Sequence, residues 1–283
     1  MNRRDFLKTV GAVGSSALLG DSAAAEGTGS ETELMGVLVD TTRCIGCRTC
    51  EEICAETHGL PIPDIDSVDS DRVLLEHRNP SVTQFSVINM FEGNGDDIYV
   101  KKQCMHCNQP ACASACLTKA MLKTEDGPVI WREDKCMGCR FCMISCPFDI
   151  PKFEYDSPVP KIQKCSLCAD RVGEGGVPAC VEACPMEALS FGTRSELIQE
   201  ANRRISQDPD TYVPHIYGEH EAGGTGYLYL SRVPFEQVGF RADIETTSYP
   251  ELSKDYLYAV PIVLTLWPAF LLALSNATKK ESD

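Results

Sequence analysis

Sixteen cysteines gathered into four quartets constrain this 283-residue chain more than any other feature. Two quartets share one tight spacing: Cys44, Cys47, Cys50, Cys54 and Cys136, Cys139, Cys142, Cys146. Cys104, Cys107, Cys112, Cys116 has a longer middle gap, and in Cys165, Cys168, Cys180, Cys184 eleven residues part the second member from the third. Neighbouring cysteines with a last one four positions on, followed by proline at Pro147 and Pro185, form the spacing that holds a 4Fe-4S cluster. Four quartets predict four clusters, with these sixteen cysteines as iron ligands, and a path for electrons.

Two other uses of cysteine explain the pattern less well. Disulfides depend on the distance between paired residues and give no reason for one local quartet to recur. Structural zinc sites take C-x2-C pairs from separate loops, whereas three ligands within seven residues suit a cubane. The fourth quartet, with its insertion, comes nearest to the zinc pattern.

The formal net charge of -15 and pI of about 4.8 argue against a nucleic-acid partner, because phosphate binding needs a basic surface. Residues 1–25 read as a twin-arginine export signal: Arg3-Arg4-Asp5-Phe6-Leu7-Lys8, an apolar stretch from Val10 to Gly20, and small residues at Ala23-Ala24-Ala25. From Tyr256 to Leu274 there are 19 residues without a charge, near the roughly 20 needed to cross a bilayer core. Pro261 and Pro268 are tolerable in a membrane helix and costly within a soluble one. Lys279 and Lys280 after the span favour a cytoplasmic tail and an exported body.

Between the ends, one unit repeats: a short apolar run, polar residues, then the first cysteine of a quartet. It occurs at Val37-Leu38-Val39, at Ile98-Tyr99-Val100, at Val129-Ile130-Trp131 and faintly around Ile162. These runs read as short strands, and strand plus ligand loop is the unit of bacterial-type ferredoxins, in which the last cysteine of a quartet serves the neighbouring cluster. The expected fold is α+β: two ferredoxin modules built of short strands and helices, plus a C-terminal transmembrane helix. Spacing leaves open which quartets pair. Residues 61–97 read as surface loop with a strand near Phe85-Ser86-Val87-Ile88, and Ala188 to Phe191 reads as a closing strand. Thr193 and Glu196 form a capping-box pattern before Leu197, Ile198, Ala201 and Ile205 at helical spacing. Residues 206–253 read as an irregular extension, and Gly223-Gly224-Thr225-Gly226 as a turn rather than a phosphate cradle. His106 reads as a polar residue near the module surface, with a hydrogen bond to a ligand sulfur as the alternative. No nucleophile motif or dinucleotide fingerprint is present, so no catalytic residue is expected in this chain.

The runs Lys101-Lys102-Gln103-Cys104-Met105-His106-Cys107, Gly138-Cys139-Arg140-Phe141-Cys142-Met143 and His215-Ile216-Tyr217-Gly218-Glu219, with Gly223-Gly224-Thr225, carry a resemblance over nearly the whole chain. It resembles the iron-sulfur subunit of periplasmic membrane-bound nickel-iron uptake hydrogenases. The four-quartet core is also similar to electron-transfer subunits of molybdopterin enzymes such as formate dehydrogenase, dimethyl sulfoxide reductase and polysulfide reductase. The resemblance implies that the first quartet pairs with the fourth and the second with the third. The ligand sets would then be Cys44, Cys47, Cys50, Cys184; Cys165, Cys168, Cys180, Cys54; Cys104, Cys107, Cys112, Cys146; and Cys136, Cys139, Cys142, Cys116. An outer module would span 34–95 with 160–200, an inner module 96–159, the extension 201–253 and the transmembrane helix 256–274. Leu117 and Ala55 depart from the proline common after the last cysteine. The implied role is a non-catalytic relay through four clusters. It would run between hydrogenase catalytic subunits, or a molybdopterin subunit, and an integral membrane quinone-binding subunit. The chain would be single-pass anchored on the periplasmic side.

Overall fold

The computed structural model describes residues 33–278 except 66, 68, 69 and 94. The export signal read at 1–25 lies outside the described residues, as do Lys279 and Lys280. Two units are distinguished, one ending at Leu252 and one that contains the last helix from Ser253 onward.

The first unit opens with β1 (Met35–Asp40), which gains a neighbour on each side far along the chain. After it come α1 (Thr49–His58), β2 (Val87–Phe91) and β3 (Ile98–Lys102). Next are α2 (Ala111–Ser114), β4 (Met121–Lys123), β5 (Val129–Trp131) and α3 (Phe141–Ser145). Then follow β6 (Lys152–Phe153), β7 (Ile162–Gln163), α4 (Ala169–Gly173) and α5 (Ala179–Glu182). The unit closes with β8 (Leu189–Thr193), α6 (Arg194–Gln207) and β9 (Tyr227–Leu230).

β8 lies antiparallel on one edge of β1, with Val37 opposite Phe191, and β9 lies parallel on the other, with Val37 opposite Tyr227. The remaining strands form antiparallel pairs, β2 with β3, β4 with β5 and β6 with β7. Side chains of a strand alternate between faces. Leu38, Leu228 and Leu230 therefore meet Leu197 and Ala201 of α6 on one side of the sheet. Val37, Val39, Tyr227 and Tyr229 face the opposite side, where Cys50, Cys180, Met105 and Leu167 lie. The sheet thus stands between a covering helix and the cysteine-bearing loops. α6 starts where its sequence predicts: Thr193 Oγ1 accepts the Glu196 N–H at 3.4 Å, and Glu196 returns a bond to the Thr193 N–H.

The extension is more ordered than its glycines and prolines suggest, since β9 completes the main sheet. Tyr227-Leu228-Tyr229-Leu230 has the β propensity for a strand, but lies just beyond a glycine-rich turn that dominates the local reading. The strand near residue 88 begins at Val87 rather than Phe85.

The last helix runs without a break as α7 (Tyr249–Thr278), about 45 Å at 1.5 Å per residue, with all but its first four residues in the second unit. It is long and apolar enough to cross a membrane, with mean hydropathy 2.1 and none of that apolar window buried. Pro261 and Pro268 lie inside it, and Thr265 Oγ1 donates to the Pro261 carbonyl at 2.9 Å.

Candidate iron-sulfur sites

Each quartet sits on a loop that curls left-handed at the same place. The second residue after the first cysteine has positive φ in all four: Gly46, His106, Gly138 and Leu167. The third residue after the last cysteine repeats this in three, at Lys119, Asp149 and Glu187. A backbone conformation recurring in register with the cysteines marks one structural device used four times. At Gly46 only glycine fits, because a Cβ would fall 2.4 Å from the Tyr99 ring. The first quartet is the exception at its end. α1 continues through Cys54 and Ala55 to ten residues, whereas α2, α3 and α5 stop after four or five.

The last two cysteines of each quartet are four apart, with the first of them on a short helix. In α1 both cysteines lie in the helix, about 6 Å apart along its axis, whereas Cys116, Cys146 and Cys184 lie one or two residues past the ends of α2, α3 and α5. α1 packs against α5, and α2 against α3. The nearest electrostatic neighbours cross the quartets accordingly. Cys44 faces Cys47 and Cys184; Cys54 faces Cys180 and Cys168; Cys107 faces Cys104, Cys146 and Cys112; and Cys142 faces Cys116, Cys136 and Cys139. One cavity is lined by Cys44, Cys47, Cys50 and Cys184, and another by Cys116, Cys136, Cys139 and Cys142.

All sixteen cysteines are free of disulfides. Among the described residues, no three His, Cys, Asp or Glu side chains converge on a point that could hold one metal ion. Zinc at 2.3 Å from each sulfur would demand such convergence. The two cavities lined by four cysteines each offer thiolate donors and room that suit a cluster of several irons.

Burial pushes the thiols of Cys44, Cys54, Cys142 and Cys146 up to about 11, and that of Cys112 up to about 12. The protein alone offers a thiolate little stabilisation there, and ligation to a metal would supply it. Cys116 differs. Burial is the largest single influence and raises it, but several donors together, the Met121 N–H at 3.3 Å from its sulfur first among them, outweigh burial and bring it below its ordinary value. The Leu167 N–H likewise donates to Cys165 Sγ at 3.4 Å. Hydrogen bonds to sulfur and exclusion of solvent both set cluster potentials.

Two lysines that sequence reasoning passed over, and one histidine that it placed near the surface, belong to this region. Lys101, 2% exposed, donates to Gln103 Oε1 at 3.2 Å. Burial acts to lower its proton affinity, but Cys180, Cys50, Cys165 and Cys54 outweigh burial and raise it. Lys164 is also buried, and its ammonium donates to the carbonyls of Val129 and Cys165. His106 is fully buried, which corrects its reading as a near-surface residue. Its position between two cysteines on a tight loop turns the ring inward. The Val129 N–H donates to its Nδ1 at 2.8 Å, so the proton of the neutral ring resides on Nε2. Burial, with Lys164 and Lys123 nearby, lowers its proton affinity well below the ordinary value. The available signal was positional: Lys101 and Lys164 stand at strand ends just before Cys104 and Cys165.

A profile for a 4Fe-4S dicluster domain matches residues 96–194. The chain is similar to a protein of Nitratidesulfovibrio vulgaris, 43% identical over 289 positions that cover 99% of this chain and 78% of that one. It is also similar to the hydrogenase-2 operon protein HybA of Escherichia coli O157:H7, 36% identical over 91% of this chain and 90% of that one. The iron-sulfur subunit of the nitrate-inducible formate dehydrogenase of Escherichia coli K12 is 32% identical over 68% of this chain and 66% of that one. The chain belongs to the ferredoxin-type iron-sulfur electron-transfer subunits, the superfamily that holds these relatives.

Proposed function

We propose that the sixteen cysteines hold four 4Fe-4S clusters and that the chain relays electrons between a hydrogenase catalytic subunit and an integral membrane quinone-reactive subunit, itself performing no catalysis. The ligand sets are Cys44, Cys47, Cys50, Cys184; Cys54, Cys165, Cys168, Cys180; Cys104, Cys107, Cys112, Cys146; and Cys116, Cys136, Cys139, Cys142. The first two sets form an outer module from 34–95 with 160–200, and the last two an inner module from 96–159. Each cluster, when bound, supplies a reversible one-electron couple. The chain holds the ligand sulfurs, shields most of them from water and places the lysines Lys101 and Lys164 among them.

The observation that carries this reading is the set of neighbours that link one set to the next. Cys50 lies near Cys180, Cys165 near Cys104, and Cys112 near Cys142. These links support a linear order, and the two exposed cysteines, Cys47 and Cys139, fall in its two terminal sets. Similarity to HybA over most of both chains favours the hydrogenase partner. The arginine pair at Arg3-Arg4 and the span of α7 favour export by the twin-arginine route and a single-pass anchor on the periplasmic side.

Paired substitutions test the ligand sets. Cys44→Ser and Cys184→Ser should each remove the same component of the reduced electron paramagnetic resonance spectrum, although 140 positions separate them. Loss of the component that Cys165→Ser removes, on changing Cys184, would overturn this pairing. A second reading keeps the relay and replaces the partner by a molybdopterin subunit, favoured by the similarity to the formate dehydrogenase iron-sulfur subunit. Nickel in the detergent-solubilised complex supports the first partner; molybdenum or tungsten supports the second.

A further inference from the structure

β9 presents Tyr227 and Tyr229 two positions apart on the same face of the sheet, and both are fully buried. Their hydroxyls have different surroundings. Tyr229 accepts from Gln103 Nε2 at 2.5 Å and donates to the Lys101 carbonyl at 2.9 Å. The Tyr227 hydroxyl has no hydrogen-bond partner among the described residues.

That side chain is nonetheless firmly placed. The Tyr227 N–H donates to the Met105 carbonyl at 3.1 Å, Lys101 Nζ lies 5.9 Å from the ring centroid, and the His106 ring lies 6.0 Å away. The strongest electrostatic neighbours of the hydroxyl are the sulfurs of Cys180 and Cys165, followed after Tyr229 by Cys168. These three sulfurs belong to one proposed ligand set. A buried hydroxyl without a partner is a net cost, and phenylalanine would fill the same volume without it. The donor is accounted for when its acceptor is a group that the polypeptide alone does not contain.

We propose that Tyr227 donates its O–H to a sulfur of the cluster held by Cys54, Cys165, Cys168 and Cys180, and so holds that cluster's potential above the value set by ligation alone. The inference rests on the four-cluster reading given above. The electron arrives from one neighbouring cluster of the chain and leaves to the other. No covalent bond is made or broken, and the phenol keeps its proton. The hydrogen bond strengthens as the sulfurs gain negative charge, which favours the reduced state. β9 lies beyond residues 96–194, so this donor is added from outside the dicluster region.

The test is a redox titration followed by electron paramagnetic resonance on the full-length chain in its complex, comparing wild type with Tyr227→Phe at equal iron content. One of the four midpoint potentials should fall in the variant while the other three stay in place. Four unchanged potentials would overturn the hydrogen bond and leave the four-cluster reading standing; fewer than four clusters in the wild type would overturn both. Should Tyr227→Phe fail to load iron, wild-type sequence grown with 3-fluorotyrosine decides the matter. Its more acidic phenol donates more strongly, so one potential should rise, and no rise would refute the proposal.

Discussion

Glu51, next in sequence to Cys50, ties the first ligand loop to the body of the protein. Its carboxylate meets Arg48 at 3.1 Å and Arg78 at 2.6 Å, and accepts the Ile88 N–H at 2.5 Å, so α1 is fastened to β2 through one buried side chain. Removing one partner of a buried ion pair costs about 3–5 kcal/mol, because the remaining charges lose their counter-ion. Glu51→Ala should therefore lower the thermal midpoint of the loaded protein clearly under argon. A change within about 0.5 kcal/mol, the range of ordinary surface substitutions, would contradict this role. Lys101 works at longer range. Its buried ammonium faces sulfurs of two adjacent proposed sets, Cys50 in one and Cys180, Cys165 and Cys54 in the other. Lys101→Met removes a positive charge from a low-dielectric interior, which disfavours the more negative reduced state. Two cluster potentials should fall together in a redox titration, in contrast to the one expected for Tyr227→Phe.

At the scale of elements, the ligand helices differ in how they end, and Ala55 is the informative position. Proline there would remove a helical hydrogen bond and clash with the preceding turn of α1, at a cost of about 3 kcal/mol. Leu117 follows Cys116 outside α2 and is 89% exposed, so Leu117→Pro should be tolerated. Circular dichroism melts of Ala55→Pro and Leu117→Pro should thus diverge, and equal stability would refute the assignment of α1 as one continuous helix. In α7, Leu266 lies near the middle of the uncharged stretch. An arginine there costs about 2.5–3.5 kcal/mol on insertion scales, so Leu266→Arg should move the protein toward the carbonate-extractable fraction. Much of this layout was legible in the sequence. The runs before Cys44, Cys104 and Cys136 became β1, β3 and β5, and Thr193 with Glu196 marked the start of α6, because strand alternation and helix capping are local rules. β9 and the burial of His106 and Lys101 were not legible. The first depends on pairing with β1 about 190 positions away, and the others on what packs around a loop. Such non-local pairing leaves no periodic trace.

Across the first unit, the cysteine quartets, the repeated left-handed loop and the crossed neighbours describe one device used four times, which the proposed ligand sets arrange in a line. The sheet of β8, β1 and β9 and the covering α6 close one side of it, so that Cys50, Cys180 and Tyr227 share one apolar environment. Leu197 carries much of that closure at 4% exposure. Leu197→Ala should cost about 2–5 kcal/mol while leaving every ligand in place. Anaerobic iron and acid-labile sulfide analysis of the purified chain, combined with the number of electrons it takes up on full reduction, tests the central claim most directly. Four cubanes predict about sixteen iron atoms and sixteen sulfides per polypeptide, and about four electrons. About half those values, reached with every cysteine intact, would contradict it.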